Sequence, residues 1–349
     1  IIHQQSPFQE SKAAILFSKK KVKIIDVEIP LPKENQILVK NLYSSICHTQ
    51  LGEYLMKRGE DKYLPHCLGH EGVAKVISVG SNVKKIKRND HVVMSWIKGD
   101  GHENGGTKYF SKKFGEINAG PVNTFSNYSL VSENRVYKIK TINNLKKLTL
   151  MGCAIPTAFN AVFDSLKVKK NSTMIIAGMG GLGIACLYAS IYSGCKKIIC
   201  IDINKKKLSN IKKLKNVEII CNKKVDISTL LKKQIKKADY TIDCTGNLGI
   251  VEELLSATKF LGGKCLIIGN PEPQKKISLD PWQFILGKSI LGAWNSNKSF
   301  EKKFYKFLDI FLKSDIDRYF SGQIYKLNEI NKAFNDLKSG KVLRPTIKF

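Results

Sequence analysis

Thr173-Met174-Ile175-Ile176-Ala177-Gly178-Met179-Gly180-Gly181-Leu182-Gly183 is the stretch from which the architecture can be read. A compact apolar strand runs into a glycine-rich turn, and residues 182–193 then have helical length and composition. Downstream, short apolar segments at 197–201, 217–221, 240–244 and 264–268 read as strands with helical segments between them. Strands alternating with helices predict an α/β unit with a parallel, doubly wound sheet. Beyond about Ala293 the alternation stops. A Lys- and Phe-rich helix over 300–312, a short segment at 323–327, a helical 328–339 and a terminal strand follow. Upstream, Val/Ile segments at 22–25, 37–40, 72–79 and 91–94 lie between Pro, Gly and Asn turns, so the first 150 residues read as β-rich. Such a segment cannot bury its open face alone, so the tail is predicted to return to it. Residues 97–126, with Gly99, Gly101, Gly105, Gly106, Gly115 and Gly120, read as a long surface excursion.

The chain has 349 residues, the length of two domains, and is 43% hydrophobic and 25% charged, which excludes disorder and fibrous architectures. No uninterrupted apolar run reaches the roughly 18 residues that a membrane span needs. The formal charge of +29 attracts polyanions in general. Only Arg58, Arg88, Arg135, Arg318 and Arg344 are Arg, however, and doublets such as Lys212-Lys213 and Lys236-Lys237 read as solvated helix faces. Nucleic-acid readers lean on Arg forks, so polyanion binding is a minor alternative. Nine cysteines without dense pairing fit a reducing compartment. No charged-then-apolar leader is read, so a cytoplasmic protein is the expectation. Cys186, Cys195, Cys200, Cys244 and Cys265 sit in apolar runs and read as small buried hydrophobes.

Gly178, Gly180 and Gly183 fit GxGxxG, a weak pattern alone that its strand–turn–helix context strengthens. The glycines allow a tight turn and close backbone approach, so Gly178, Gly180, Gly181, Leu182 and Gly183 are candidates for cradling a dinucleotide pyrophosphate. The next strand ends at Asp202, 24 residues after Gly178. A carboxylate there accepts from both ribose hydroxyls of NAD and repels the 2′-phosphate of NADP, although Lys205, Lys206 and Lys207 stand nearby. A glycine turn with a capping Asp is the bland alternative. A second constellation is Cys47-His48-Thr49, Gly69-His70-Glu71-Gly72 and Gly152-Cys153. Two thiolates and one imidazole from distant segments make a poor structural zinc knuckle but a good open zinc site, with the fourth position left for water or a substrate oxygen.

These residues resemble the zinc-dependent medium-chain dehydrogenase/reductase superfamily, close to its alcohol dehydrogenase branch, over essentially the whole chain. Gly69-His70-Glu71-Gly72-Val73-Ala74-Lys75-Val76-Ile77-Ser78-Val79-Gly80-Ser81-Asn82-Val83 is similar to the family's most diagnostic segment, and Gly152-Cys153-Ala154-Ile155-Pro156-Thr157-Ala158-Phe159 to its third-ligand motif. The resemblance implies a GroES-like β-rich catalytic domain (1–154 and 295–349) interrupted by a Rossmann NAD-binding domain (155–294). It implies a catalytic zinc on Cys47, His70 and Cys153, with Glu71 behind it. It also implies that Thr49 passes the substrate proton to the cofactor ribose, that His48 and Arg344 contact the pyrophosphate, that Lys207 contacts a ribose, and that Trp96 walls the substrate pocket, a simple core Trp being the alternative. The activity implied is hydride transfer between an alcohol carbon and NAD, in a homo-oligomer, a dimer first. The substrate would be a simple alcohol or aldehyde, a polyol, or a phosphorylated or nucleotide-linked sugar.

Three departures matter. Many relatives bind a structural zinc through four closely spaced Cys, whereas residues 97–126 contain no Cys, so one zinc is expected. Gln50 stands where relatives often carry Asp, and its amide is expected to accept from His70 without supplying charge. Gly52 stands where some relatives end their proton relay with His. A zinc-free quinone or enoyl reductase on the same fold is the nearest rival; it would need none of the three ligands.

Overall fold

A computed structural model describes residues 7–211, 213–222, 237–294, 300–320 and 323–349. Lys212, Lys236 and the expected domain boundary at 295 lie outside them. The fold divides into two units, Ile1–Cys153 with Ser296–Phe349, and Ala154–Asn295.

The first unit begins with β1 (Phe8–Ser18), β2 (Lys21–Pro30), β3 (Gln36–Ser45), the short helix α1 (His48–Tyr54), β4 (His66–Cys67), β5 (Glu71–Val79) and β6 (His91–Ser95). It continues through β7 (Thr107–Ser111), β8 (Gly115–Gly120), β9 (Tyr128–Ser132), β10 (Val136–Ile139) and α2 (Leu145–Leu148). A closed barrel runs β1-β2-β7-β8-β4. Its interior is filled by Ala13, Ile15, Val27, Ile29, Tyr109, Ile117 and Ala119.

Residues 97–126 are therefore not the surface excursion that their glycines suggested. They contain the β7–β8 hairpin that closes the barrel, and Tyr109, Ile117 and Ala119 are at most 1% exposed. The strict in–out alternation of Thr107 to Ser111 is the local sign of this, outweighed in the sequence by the glycine count. The remaining irregular part is tied down by Arg135, which donates through Nε to Glu103 at 2.9 Å and through a second nitrogen to the Trp96 carbonyl.

In the second unit, α3 (Ala154–Asn160) leads into β11 (Thr173–Ala177), α4 (Gly181–Tyr192), β12 (Lys197–Asp202), α5 (Lys205–Ile211), β13 (Val217–Cys221), β14 (Tyr240–Asp243), α6 (Leu248–Ala257), β15 (Lys264–Ile267), α7 (Trp282–Ile285) and β16 (Ser289–Gly292). The sheet order is β13-β12-β11-β14-β15-β16, and every pairing is parallel. The chain reverses direction across the sheet beside β11, so the turn after that strand sits at a topological switch point, where doubly wound sheets bind ligands. Four of the five cysteines read as buried hydrophobes are buried; Cys244, just after β14, is half-buried.

The tail forms α8 (Phe300–Leu312), β17 (Ile324–Lys326), α9 (Ile330–Lys338) and β18 (Thr346–Lys348). It returns to the first unit. β18 pairs antiparallel with β3, which completes the sheet β10-β6-β5-β3-β18-β17, with β9 also on β3. Phe304 of α8 stacks on Tyr137 with ring centroids 4.0 Å apart, and Phe334 of α9 stacks on Tyr54 of α1 at 4.3 Å. Aromatic pairs at such distances contribute about 0.5–1.5 kcal/mol beyond their buried area. The second stack also fixes the helix that carries Cys47 at its start. Among the described residues, no helix is long and apolar enough to cross a membrane.

Candidate active site

Cys47 is the N-cap of α1, and its Sγ accepts from the Thr49 N–H at 3.2 Å. His70 immediately precedes β5, and its Nε2 lies 3.3 Å from Cys47 Sγ. Cys153 ends the 3₁₀ turn Thr149–Gly152. The two Sγ atoms and an imidazole nitrogen lie within 4.8 Å of one another, and among the described residues this is the one convergent group of three or more His, Cys, Asp or Glu.

Close backbone packing brings these segments together, and the glycines of both motifs are what allow it. A Cβ on Gly152 would stand 2.5 Å from the Met94 carbonyl oxygen and 2.7 Å from Glu71 Cα. Gly69 has φ +100°, and a Cβ there would meet Thr124 Oγ1 at 2.3 Å. Buried hydroxyls then pin the loops. Ser44 donates to the Glu71 carbonyl at 3.0 Å, Ser95 to the Gly152 carbonyl at 2.7 Å, and Ser45 pairs with Thr149 at 2.6 Å. No signal in the sequence marks these serines.

The donor types suit a cation. Burial pushes the Cys47 thiol up, yet its hydrogen bond to Cys153 and the charge of His70 carry it well below the usual thiol range. The Cys153 thiol is driven well above that range by its bond to Cys47 and by burial. Glu71 is fully buried, and burial pushes its carboxyl up against the pull of Arg344. Arg344 donates to Glu71 Oε2 at 2.8 Å, while Glu71 Oε1 has no hydrogen-bond partner. Two sulfurs, an imidazole and an under-satisfied carboxylate fit zinc, which takes S and N donors and leaves a position open when the protein supplies three.

Two readings change here. Arg344, assigned by resemblance to the pyrophosphate, is 5% exposed and engaged with Glu71. Gln50 was expected to accept from His70; instead its Oε1 accepts the Cys47 N–H at 3.1 Å, and its amide nitrogen faces His70 Nδ1. The physical reason is the capping box of α1, which claims the amide oxygen for the helix N-terminus. The sequence reading also missed Glu53, half-buried on α1, whose carboxyl burial pushes up to about 7. His48 is exposed, and Thr49 and Trp96 are half-buried.

In the second unit, α4 opens at Gly181 with Gly180 as N-cap, so its first N–H groups face the turn. A Cβ on Gly183 would stand 1.9 Å from the Gly178 carbonyl oxygen, which explains why no larger residue serves there. Asp202 is 8% exposed and joins turn to strand: Oδ2 accepts the Met179 N–H at 2.7 Å, and Oδ1 the Asn204 N–H at 2.8 Å. Lys207 Nζ lies 3.8 Å from it. Asp202 thus ties the turn to the strand end through two backbone N–H groups, and each oxygen keeps a lone pair for a ribose hydroxyl.

Known proteins resemble this chain in sequence and fold. Residues 33–141 match the model of the alcohol dehydrogenase GroES-like domain, and residues 181–313 that of the zinc-binding dehydrogenase family. The class-3 alcohol dehydrogenase of Dictyostelium discoideum is 30% identical over 96% of this chain and 97% of its own length. The probable S-(hydroxymethyl)glutathione dehydrogenase 1 of Schizosaccharomyces pombe is 27% identical over 95% of each chain. The crystal structure of benzyl alcohol dehydrogenase from Acinetobacter calcoaceticus superposes with a TM-score of 0.85 at 25% identity, covering 98% of this chain and 99% of that one. With a GroES-like unit bearing a Cys/His metal cluster and a Rossmann unit suited to NAD(P), the chain belongs to the zinc-dependent medium-chain dehydrogenase/reductase superfamily and is an oxidoreductase of its alcohol dehydrogenase branch.

Proposed function

We propose that this enzyme interconverts an alcohol and its carbonyl compound with NAD, using one zinc held by Cys47, His70 and Cys153. The observation that carries the reading is the convergence of those three donor atoms within 4.8 Å beside the buried carboxylate of Glu71. Zinc, when bound, supplies Lewis acidity that makes a hydroxyl proton easier to remove, and NAD supplies the hydride acceptor. The two cysteines contribute negative charge that offsets the cation and limits how tightly a carbonyl product is held. Glu71, fixed by Arg344, adds a reserve carboxylate behind the ligands. Thr49, tethered through its N–H to Cys47 Sγ, takes the hydroxyl proton and passes its own to the cofactor ribose. Gly52 offers no side chain to carry the proton further, so it leaves through water. Gly178, Gly180, Gly181, Leu182 and Gly183 with the start of α4 hold the pyrophosphate, assisted by His48, while Arg344 stays with Glu71. Asp202 and Lys207 hold the adenosine ribose, and the carboxylate favours NAD over NADP. Trp96 walls the substrate pocket.

The catalytic domain in this reading spans 1–154 and 295–349, the NAD-binding domain 155–294, and the protein works in the cytoplasm as a homodimer. The relatives' named substrates, S-(hydroxymethyl)glutathione and benzyl alcohol, are the first to try, followed by polyols and phosphorylated or nucleotide-linked sugars. The test is metal quantification on purified protein combined with an NAD/NADH activity screen over those compounds. About one zinc per chain and turnover that disappears on metal removal are expected. Full turnover in zinc-free protein would overturn the proposal.

A further inference from the structure

A cavity of about 110 Å³ lies wholly within the first unit, walled by residues between 144 and 150, by the 3₁₀ turn Ile316–Phe320, and by Arg344 and Thr346. None of its lining residues belongs to the glycine turn. Lys146 and Lys147 of α2 and Asp317 of the 3₁₀ turn line it, all three half-buried. Among the described residues none of these side chains forms an ion pair or a hydrogen bond; Lys147 lies over the Phe311 ring at 5.6 Å. Arg344, 5% exposed, donates to Glu71 at 2.8 Å, and its Nε is buried without a hydrogen-bond partner. The Thr149 hydroxyl is already committed: it donates to the Lys146 carbonyl at 2.8 Å and pairs with Ser45 at 2.6 Å.

Buried N–H groups are ordinarily met, so the Arg344 Nε–H marks a place for an acceptor. Two ammonium groups and a guanidinium around one small space favour an anion, held by charge-assisted hydrogen bonds. The carboxylate narrows the choice. Sulfate only accepts and is repelled by Asp317, whereas inorganic phosphate at neutral pH keeps at least one O–H that Asp317 can accept. The volume, several times the ~30 Å³ that a water molecule takes up in the liquid, admits a tetrahedral oxyanion and not a nucleotide. We infer that this cavity is a site for inorganic phosphate: Lys146 and Lys147 hold its charge, the Arg344 Nε–H donates to one oxygen, and Asp317 accepts from its hydroxyl. Arg344 keeps its bond to Glu71, so the guanidinium stands between the phosphate and the carboxylate behind the proposed metal ligands. The site needs neither zinc nor NAD.

The test is calorimetric titration of purified full-length protein with sodium phosphate and with sodium sulfate, near neutral pH and at matched ionic strength so that screening is equal. Phosphate is expected to saturate one site per chain and sulfate to bind at least about tenfold more weakly, because the carboxylate finds no hydrogen to accept. Methyl phosphate, largely dianionic there, should follow sulfate; binding equal to that of phosphate would overturn the assignment to the inorganic ion. The double variant Lys146→Gln with Lys147→Gln should weaken phosphate at least about tenfold, and Asp317→Asn should close most of the gap between phosphate and sulfate. Equal affinity for the two anions in wild type, or no saturable phosphate binding, overturns the inference, and that comparison needs no variant to fold. Phosphate affinity that survives loss of both lysines overturns it as well, since the anion would then sit elsewhere, as on the glycine turn.

Discussion

The turn proposed for the nucleotide in the second unit takes its groups from six consecutive residues, Gly178 to Gly183, with Asp202 joining from the next strand. The metal cluster of the first unit draws Cys47, His70 with Glu71, Cys153 and Arg344 from four separate segments. The turn is fixed by backbone geometry, because a strand, a tight reversal and a helix leave donor groups at the helix start wherever that sequence occurs. The cluster is fixed by packing between β3, β5, β6 and the 3₁₀ turn before Cys153, so it depends on residues with no chemistry of their own. Damage to the turn should stay local, while damage to the cluster should spread.

The sharpest division comes from removing ligands. Cys47→Ala or His70→Ala should abolish zinc retention and turnover while NADH binding stays near normal, as metal analysis and NADH fluorescence would report; loss of NADH binding as well would mean that the two sites are not separable. Breaking the buried ion pair should be the largest stability effect. Arg344→Met leaves Glu71 uncompensated and should cost about 3–5 kcal/mol in denaturant unfolding. A cost below 1 kcal/mol would show that the pair does not hold the cluster.

Two glycines test the same contrast by overpacking. Gly152→Ala forces Glu71 or Met94 to shift and should lose zinc at a cost of about 1–3 kcal/mol, with NADH binding kept; Gly183→Ala should do the opposite, weakening NADH while keeping zinc. Identical profiles for both would erase the distinction. Asp202→Ala should weaken NAD binding by roughly tenfold and narrow the preference over NADP, since it removes an acceptor for ribose and the repulsion of a 2′-phosphate. Unchanged discrimination would remove Asp202 from cofactor choice.

The smallest effect is electrostatic. Burial pushes the Asp239 carboxyl up, but Lys259 and the Thr173 N–H hold it below the usual carboxylate range. A depressed folded pKa stabilises above the unfolded value near 3.9 and is lost as pH falls through the folded one. Asp239→Asn should therefore destabilise by about 0.5–1 kcal/mol at pH 6, and the difference should shrink below about pH 4. A gap that persists in acid would assign it to the hydrogen bond alone.

Much of the fold was legible because its signals are short-range. The strands at 173–177, 197–202 and 240–243 and the helix at 300–312 follow from apolar runs and their spacing. Glycines at 69, 72 and 152 could be seen to matter, but the contacts that require them, with Thr124, Tyr43, Met94 and Glu71, lie between 22 and 81 residues away in the chain. The β7–β8 hairpin was misread for a related reason: its glycines suggest a loop, and only closure of the barrel gives Tyr109 and Ile117 an interior to fill.

The chain alone determined that a parallel sheet carries a glycine turn and an acidic strand end, and that two thiols and an imidazole are available as ligands, because backbone sterics and side-chain chemistry are local properties. Only the tertiary structure decided that the three ligand atoms meet, that Arg344 faces Glu71, and which end of the Gln50 amide faces His70. Those outcomes depend on how distant segments share buried hydrogen-bond donors and acceptors, and that allocation does not exist until the core has closed around them.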